Sequence, residues 1–276
     1  MRQRILPNFI IIGAPRCGTT ALAQYLRVHP QAFIPAYKEL YFFDFRFHRG
    51  LDWYAQQFAG ATGKTAVGEG TPRYMYNEEA IARMARVIPQ AKLIAILRHP
   101  VDRAYSYYWH RRARRSERRE FGDIVDAELA AWDSREPART LFLEGGRYLK
   151  YLSMVCRYFP REAVQVLIFE ELRAAPAPAF AAVCRFLALD ETFVPPDLGR
   201  SINPYVEFRS FALRKVIARL PSSLRRRVAR LNIRRASYPP MDPTMRQALH
   251  AQFAGENTAL AAWLGRDLSI WSDPGA

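Results

Sequence analysis

The chain is poor in cysteine and has no long hydrophobic run. Its three cysteines, Cys17, Cys156 and Cys184, stand far apart among 276 residues, which argues against a disulfide framework and a cysteine-based metal site. No stretch approaches the ~20 consecutive apolar residues of a membrane-spanning helix, and the apolar run near the N-terminus is too short for a signal peptide. Half of the residues are hydrophobic, so we expect a globular protein, and without a predicted signal peptide or membrane span we expect it in the cytoplasm.

Acidic residues are outnumbered, and the excess of positive charge is concentrated in two segments. The net charge is +15; residues 111–119 contribute +5 and residues 209–235, which contain no acid, contribute +10. Such clusters suit an anionic polymer or an anionic membrane surface, to which the protein would bind peripherally. A solvated basic face is the alternative. We expect no specific nucleic-acid partner.

A strand, a short loop and a helix follow one another near the start of the chain. Residues 9–12 are Phe-Ile-Ile-Ile and end at Gly13, a pattern typical of a buried strand in a parallel sheet. The loop that follows consists of Ala14, Pro15, Arg16, Cys17 and Gly18. A helix with apolar periodicity begins at Thr19 and Thr20. Because loop N–H groups and a helix N-terminus favour negative charge, the stretch predicts an anion site; a plain strand-to-helix turn is the alternative.

The G-x-x-x-x-G spacing is that of a nucleotide P-loop, but two features of nucleotide-binding P-loops are missing. A Walker motif continues with Lys and Ser or Thr, whereas Thr19 stands at the lysine position and Arg16 is the only charged side chain of the loop. After the strand predicted at residues 93–97, Arg98 stands where a Walker-B aspartate usually holds Mg²⁺. Both substitutions indicate anion binding by side-chain charge, without a metal.

Strand and helix patterns alternate along most of the chain. Further strands are predicted at residues 66–68, 93–97 and 164–169. Helices are predicted at residues 50–58, 78–87, 101–115, 121–134, 148–159, 178–187, 222–233 and 244–264. This order predicts an α/β fold with a doubly wound central parallel sheet flanked by helices. We expect a single domain over residues 1–276, with an α/β core (1–195) and a basic helical C-terminal part (196–276).

Two segments together resemble one enzyme family. GAPRCGTTAL is similar to the 5′-phosphosulfate loop of sulfotransferases that use 3′-phosphoadenosine 5′-phosphosulfate (PAPS), and residues 92–110, KLIAILRHPVDRAYSYYWH, resemble their 3′-phosphate-binding segment. The likeness is greatest to heparan-sulfate-type and bacterial members and extends to about residue 187. It implies a P-loop-like fold and the transfer of a sulfuryl group from PAPS to a hydroxyl or amine of a small-molecule or carbohydrate acceptor. The product would be 3′-phosphoadenosine 5′-phosphate.

The resemblance also implies roles for the donor-binding residues. Residues 14–20 would hold the 5′-phosphosulfate, and Arg16 would stabilise the departing phosphate. Arg98 and Ser106 would bind the 3′-phosphate. Arg209 belongs to a segment similar to one that closes over the donor nucleotide in bacterial relatives.

Two residues are candidates for acid–base chemistry. Glu39 stands among aromatic residues, where partial desolvation would make its carboxylate a stronger base; a half-buried segment without a catalytic role has the same pattern. Heparan-sulfate-type relatives carry Glu-x-x-Phe-Phe here, which implies that Glu39 deprotonates the acceptor. His110 matches a histidine implicated in catalysis in N-sulfotransferases, and a structural histidine beside Trp109 is the alternative.

Two departures from the family concern the acceptor. Residues 69–74 resemble a stretch that lines the acceptor cleft, but Gly70 replaces a lysine, and Tyr41 a histidine, of 3-O-type relatives. Both changes argue against a heparan-like acceptor, and Arg73 is a candidate to restore positive charge. A P-loop kinase and a non-enzymatic nucleic-acid or membrane binder are the alternative functions. The first lacks the expected Lys and Asp, and the second leaves the loop without a role.

Overall fold

The chain folds around a five-stranded parallel sheet. The computed structural model describes residues 4–37, 39–134, 140–200, 206–208, 210, 213, 216, 217, 224, 228 and 231–272. The strands of the sheet are β1 (Phe9–Gly13), β2 (Ala32–Phe33), β3 (Ala66–Gly70), β4 (Lys92–Leu97) and β5 (Val164–Ile168). They lie in the order β2-β3-β1-β4-β5, and every pair is parallel. This confirms the predicted α/β fold.

The first strand occupies the middle of this sheet. All five residues of β1 and all five of β3 are buried, as expected for central strands of a sheet with helices on both faces. The loop after β1 therefore leaves the sheet at the carboxyl edge of its central strand, where ligands of open parallel sheets bind.

Helices flank the sheet and complete the core. They are α1 (Thr19–Val28), α2 (Gly50–Gln56), α3 (Glu78–Val87), α4 (Pro100–Ala113), α5 (Phe121–Ala130), α6 (Tyr148–Cys156), α7 (Phe169–Ala174), α8 (Pro176–Phe186) and α9 (Pro243–Leu264). Pro100 opens α4 at a position where the missing N–H costs nothing. Gly265 ends α9 in the left-handed conformation typical of a C-cap, with φ 63°. No described helix is both long and apolar enough to cross a membrane.

The last long helix packs against the middle of the chain. Leu249 and Phe253 of α9 share a hydrophobic cluster with Val101 of α4 and Ile124 of α5. An ion pair joins Arg246 of α9 to Asp102 of α4, at 2.8 Å. These contacts fix the position of α4, which carries several of the predicted site residues.

The C-terminal part differs from the prediction in one respect. A short antiparallel pair forms from β6 (Val206–Phe208) and β7 (Ile233–Arg235). The helix predicted at 222–233 is therefore wrong at its end, because the β-branched Ile233 pairs with Phe208 in a ladder. Most of that predicted helix lies outside the described residues, as does Arg209.

Candidate active site

The loop after β1 turns sharply into α1. The Ala14 amide donates to the Ile96 carbonyl at 2.9 Å, which fastens the loop to β4. Arg16 and Gly18 both have left-handed backbones, with φ 72° and 88°. A Cβ added to Gly18 would lie 3.1 Å from the Phe169 ring, so the close approach of α7 adds to the conformational demand for glycine here.

The Arg16 guanidinium connects this loop to α4. Its Nε donates to the Ser106 hydroxyl and its Nη1 to Nδ1 of His110, both at 3.1 Å. Ser106 is buried, and His110 follows one turn later on the same face of α4. Three residues that the sequence predicts to serve donor binding or catalysis therefore form one hydrogen-bonded group.

Arg98 lies beside this group at the end of β4. Burial and the adjacent charge of Arg98 lower the pKa of Arg16. The Arg98 guanidinium lies 5.0 Å from the centroid of the Phe169 ring. Its Nε is buried without a hydrogen-bond partner among the described residues. A buried cationic donor that lacks a partner and stands next to an anion loop fits a phosphate group.

His110 is held among arginines. Burial, followed by the charges of Arg114, Arg16 and Arg111, lowers its pKa to about 3. The imidazole is therefore neutral at pH 7 and accepts the hydrogen bond from Arg16. In this environment His110 orients the Arg16 guanidinium. Protonation of His110 would add a fourth positive charge to those of Arg114, Arg16 and Arg111.

One cavity of about 470 Å³ joins the loop to the segment that carries Glu39. The predicted site residues in its lining are Pro15, Arg16, Thr19, Thr20, Glu39 and His110. The described arginines in the lining are Arg16, Arg73, Arg103, Arg111 and Arg114. Among the described residues of this lining, Glu39 is the only carboxylate. The lining is thus rich in positive charge, and the Glu39 carboxylate is the one acidic side chain in its described part.

Tyr41 fixes the side chain of Glu39. The Tyr41 hydroxyl donates a short hydrogen bond to Oε2 of Glu39. Burial, with the Glu39 carboxylate second, raises the pKa of Tyr41. The phenol therefore stays protonated and remains a donor to the carboxylate. The Tyr41 backbone is left-handed, with φ 52°, which is rare for a residue that is not glycine.

Glu69 and Cys17 are buried and do not line this cavity. Glu69, which belongs to the stretch likened to the acceptor-cleft lining, is 2% exposed and is not among the residues that line the cavity. Cys17 is buried, and burial raises the pKa of its thiol to about 11. Cys17 therefore suits packing better than a reactive role, since the reactive species is the thiolate.

Other cavity residues were missed in the sequence. Arg103 and Tyr107 line the cavity from α4 together with His110, and Arg114 lines it from the position directly after the helix. They recur at intervals of three and four residues, the spacing that places side chains on one helix face. Extending the face of Ser106 and His110 along the helix would have identified them.

Comparisons with known proteins show which family and which proteins this chain is similar to. A model of the family described as sulfotransferase domain matches residues 6–218. The bifunctional heparan sulfate N-deacetylase/N-sulfotransferases 3 of Mus musculus and Homo sapiens are each 29% identical to this chain over 96% of its length. The chain spans about a third of those relatives, 31% of each.

A solved structure extends the similarity to the fold of nearly the whole chain. The sulfotransferase from Alicyclobacillus acidocaldarius is 28% identical, with a TM-score of 0.74, and the match covers 98% of this chain and 100% of that one. The chain belongs to the sulfotransferase family.

Proposed function

We propose that this sulfotransferase takes the sulfuryl group from PAPS and transfers it to an amine or hydroxyl of an anionic carbohydrate. The observation that supports this most is the shared cavity: Arg16 of the loop and the carboxylate of Glu39 both line it. A donor held by the loop and an acceptor placed against Glu39 would then meet in one cavity, and positioning of this kind supplies much of enzymatic rate enhancement.

The donor is assigned to the loop and to α4. Residues 14–20 would hold the 5′-phosphosulfate, while Arg98 and Ser106 would bind the 3′-phosphate. The buried, unpartnered Nε of Arg98 supports this assignment, because a phosphate would satisfy it with a charge-assisted hydrogen bond. Arg209 is added on the family resemblance alone.

Glu39 is assigned as the general base. It would accept the proton of the acceptor's amine or hydroxyl as that atom bonds to sulfur and the bond from sulfur to the phosphate oxygen breaks. Arg16 would stabilise the negative charge that develops on the 5′-phosphate. His110, which accepts a hydrogen bond from Arg16, would hold that guanidinium in place. No proton needs to pass through His110.

The acceptor class follows from charge. Five described arginines and one carboxylate line the cavity, which favours an acceptor that carries carboxylate or sulfate groups. The departures at Gly70 and Tyr41 are from 3-O-type relatives, whereas the relatives found here are named for heparan sulfate and N-sulfotransferase, which supports a carbohydrate amine. Residues 209–235, with their charge of +10, are proposed to bind an anionic polymer or a membrane surface from the cytoplasm.

Radiolabelled PAPS tests the proposal. The purified chain is incubated with N-deacetylated heparan sulfate, with a neutral oligosaccharide and with a small phenol, and label in each product is measured. Transfer to the anionic amine, lost in Glu39→Gln while adenosine 3′,5′-bisphosphate still binds, is the expected result. Transfer of phosphate from ATP-Mg²⁺ instead of sulfuryl from PAPS would favour the kinase alternative.

A further inference from the structure

Glu69 is a buried carboxyl group that the proposed chemistry does not use. It lies near the end of β3, is 2% exposed, and has no salt-bridge partner among the described residues. A buried carboxyl without a cation is costly and persists only when several hydrogen bonds compensate. The partners of Glu69 therefore indicate what it is for.

Hydroxyl groups and one amide hold Glu69. Its Oε1 accepts from the hydroxyls of Tyr54 at 3.0 Å and Tyr74 at 3.2 Å. Its Oε2 accepts from the Thr71 hydroxyl at 2.7 Å. The backbone amide of Leu40, the residue after Glu39, also donates to it. Glu69 thus reaches the Glu39 segment directly.

Two of these hydroxyls extend the connection to the same segment. The Tyr41 amide donates to Thr71 Oγ1 at 3.3 Å, and the Phe43 amide donates to the Tyr74 hydroxyl at 3.2 Å. A hydroxyl has one proton; because each proton points to Glu69, each oxygen presents its lone pairs to the segment. The Glu69 carboxylate therefore sets the orientation of the Thr71 and Tyr74 hydroxyls, each of which accepts a hydrogen bond from a backbone amide of the segment.

The segment fixed in this way carries the proposed base. The left-handed backbone of Tyr41 (φ 52°) needs surrounding contacts to persist, and the Tyr41 hydroxyl in turn donates to Glu39. We infer that Glu69 is a positioning residue: through Leu40, Thr71 and Tyr74 it fixes the backbone beside Glu39 and thereby the geometry of proton transfer. This inference rests on the proposed role of Glu39.

A matched pair of tyrosines separates positioning from stability. Tyr54 and Tyr74 are both fully buried and both donate to Oε1 of Glu69, but only Tyr74 also binds the Phe43 amide among the described contacts. Tyr74→Phe should lower kcat roughly tenfold or more, since small misplacements of a reacting group are expensive. Tyr54→Phe should leave kcat within about twofold.

Thr71 and Glu69 give a second, independent comparison. Thr71→Val removes the hydroxyl that joins the Tyr41 amide to Glu69 and should lower kcat. Thr71→Ser keeps that hydroxyl and should have a kcat near the wild-type value. Glu69→Gln replaces one carboxylate oxygen by an NH₂ group, which cannot accept a hydrogen bond from a hydroxyl. This variant should lower kcat as Tyr74→Phe does. In each variant the acceptor KM and the affinity for adenosine 3′,5′-bisphosphate should stay at the wild-type values.

The outcomes distinguish this inference from the proposed function. If Glu39→Gln abolishes turnover while Tyr74→Phe matches Tyr54→Phe, the positioning role is wrong and the base assignment stands. If Glu39→Gln remains active, the base assignment itself is wrong. If Tyr74→Phe and Thr71→Val lose donor-product affinity in parallel with kcat, or Thr71→Ser is as impaired as Thr71→Val, Glu69 supports the fold in general and the inference is overturned.

Discussion

The Nε of Arg16 lies 3.1 Å from the hydroxyl of Ser106, although the two residues are 90 positions apart in the chain. This hydrogen bond joins the residue predicted to meet the 5′-phosphosulfate to one predicted to meet the 3′-phosphate. The two ends of the donor's charge would therefore be bound by connected side chains. A substitution at Arg16 or Ser106 should therefore change the orientation of the other side chain.

The first prediction concerns recognition of the 3′-phosphate. Adenosine 3′,5′-bisphosphate should bind much more tightly than AMP, because each charge-assisted hydrogen bond contributes about 1.5–3 kcal/mol. Ser106→Ala should shrink this difference, whereas Ser153→Ala, an exposed serine of α6, should leave it unchanged. Isothermal titration calorimetry measures both nucleotides. Equal affinity of the wild-type chain for the two would contradict the donor assignment.

The second prediction concerns acid sensitivity. The pKa of His110 is lowered from 6.5 to about 3 in the folded chain, so on acidification the unfolded chain takes up a proton that the folded chain does not. Stability therefore falls as the pH drops through that window. His110→Gln should flatten the decline of Tm between about pH 7 and pH 5. His48→Gln, at an exposed histidine, is the control; equal slopes for wild type and His110→Gln would refute the burial effect.

Local sequence signals were sufficient for elements whose ends and faces are both encoded nearby. The helix predicted at 78–87 coincides with α3, because the Asn77 side chain caps the amide of Ala80 and the apolar residues recur at helical spacing. The strand after Asn8 is equally clear, since an apolar run between polar residues has few alternatives.

Tertiary contacts decided what the sequence left open. The sequence predicts Phe169 at the end of a strand, but it opens α7, where its ring meets both Gly18 and Arg98. Glu69 belongs to the stretch that resembles an acceptor-cleft lining, yet its side chain is bound by the buried hydroxyls of Tyr54 and Tyr74. Neither orientation follows from local patterning, because both depend on partners distant in sequence.

The third prediction concerns the tight turn into α1. Gly18→Ala should destabilise the chain by about 1–3 kcal/mol, because alanine is strained in the left-handed region and its Cβ would lie 3.1 Å from Phe169. The variant should also bind adenosine 3′,5′-bisphosphate more weakly, since the loop must shift. Urea unfolding and calorimetry measure the two effects. Adding Phe169→Leu should relieve the contact and restore only part of the stability.

Gly255→Ala provides the matched control for this change. Gly255 lies within α9, and a Cβ there would meet nothing within 4 Å. Alanine in a helix interior is favoured over glycine by about 1 kcal/mol, so this variant should be more stable than wild type. A Gly18→Ala variant as stable as Gly255→Ala would show that the loop does not need its left-handed conformation.

The last prediction concerns Arg73 and the acceptor. Its guanidinium lines the cavity with Glu39 and lies 4.6 Å from the centroid of the Phe45 ring. Arg73→Ala should raise the acceptor KM and leave kcat and donor-product affinity unchanged, since it removes charge that steers and holds an anionic acceptor. Arg73→Lys keeps the charge but loses the planar stacking, so its KM should be intermediate.

Added salt and a substitution of the remote Arg185 are the controls for the Arg73 prediction. Exposed charges are screened beyond roughly 8 Å at physiological ionic strength, so the KM difference between Arg73→Ala and wild type should shrink as salt is added. Arg185, which pairs with Glu191 on the surface and does not line the cavity, is the control for loss of one positive charge. If Arg185→Ala raises the acceptor KM as much as Arg73→Ala at low salt, the effect comes from net charge and Arg73 makes no specific contact with the acceptor.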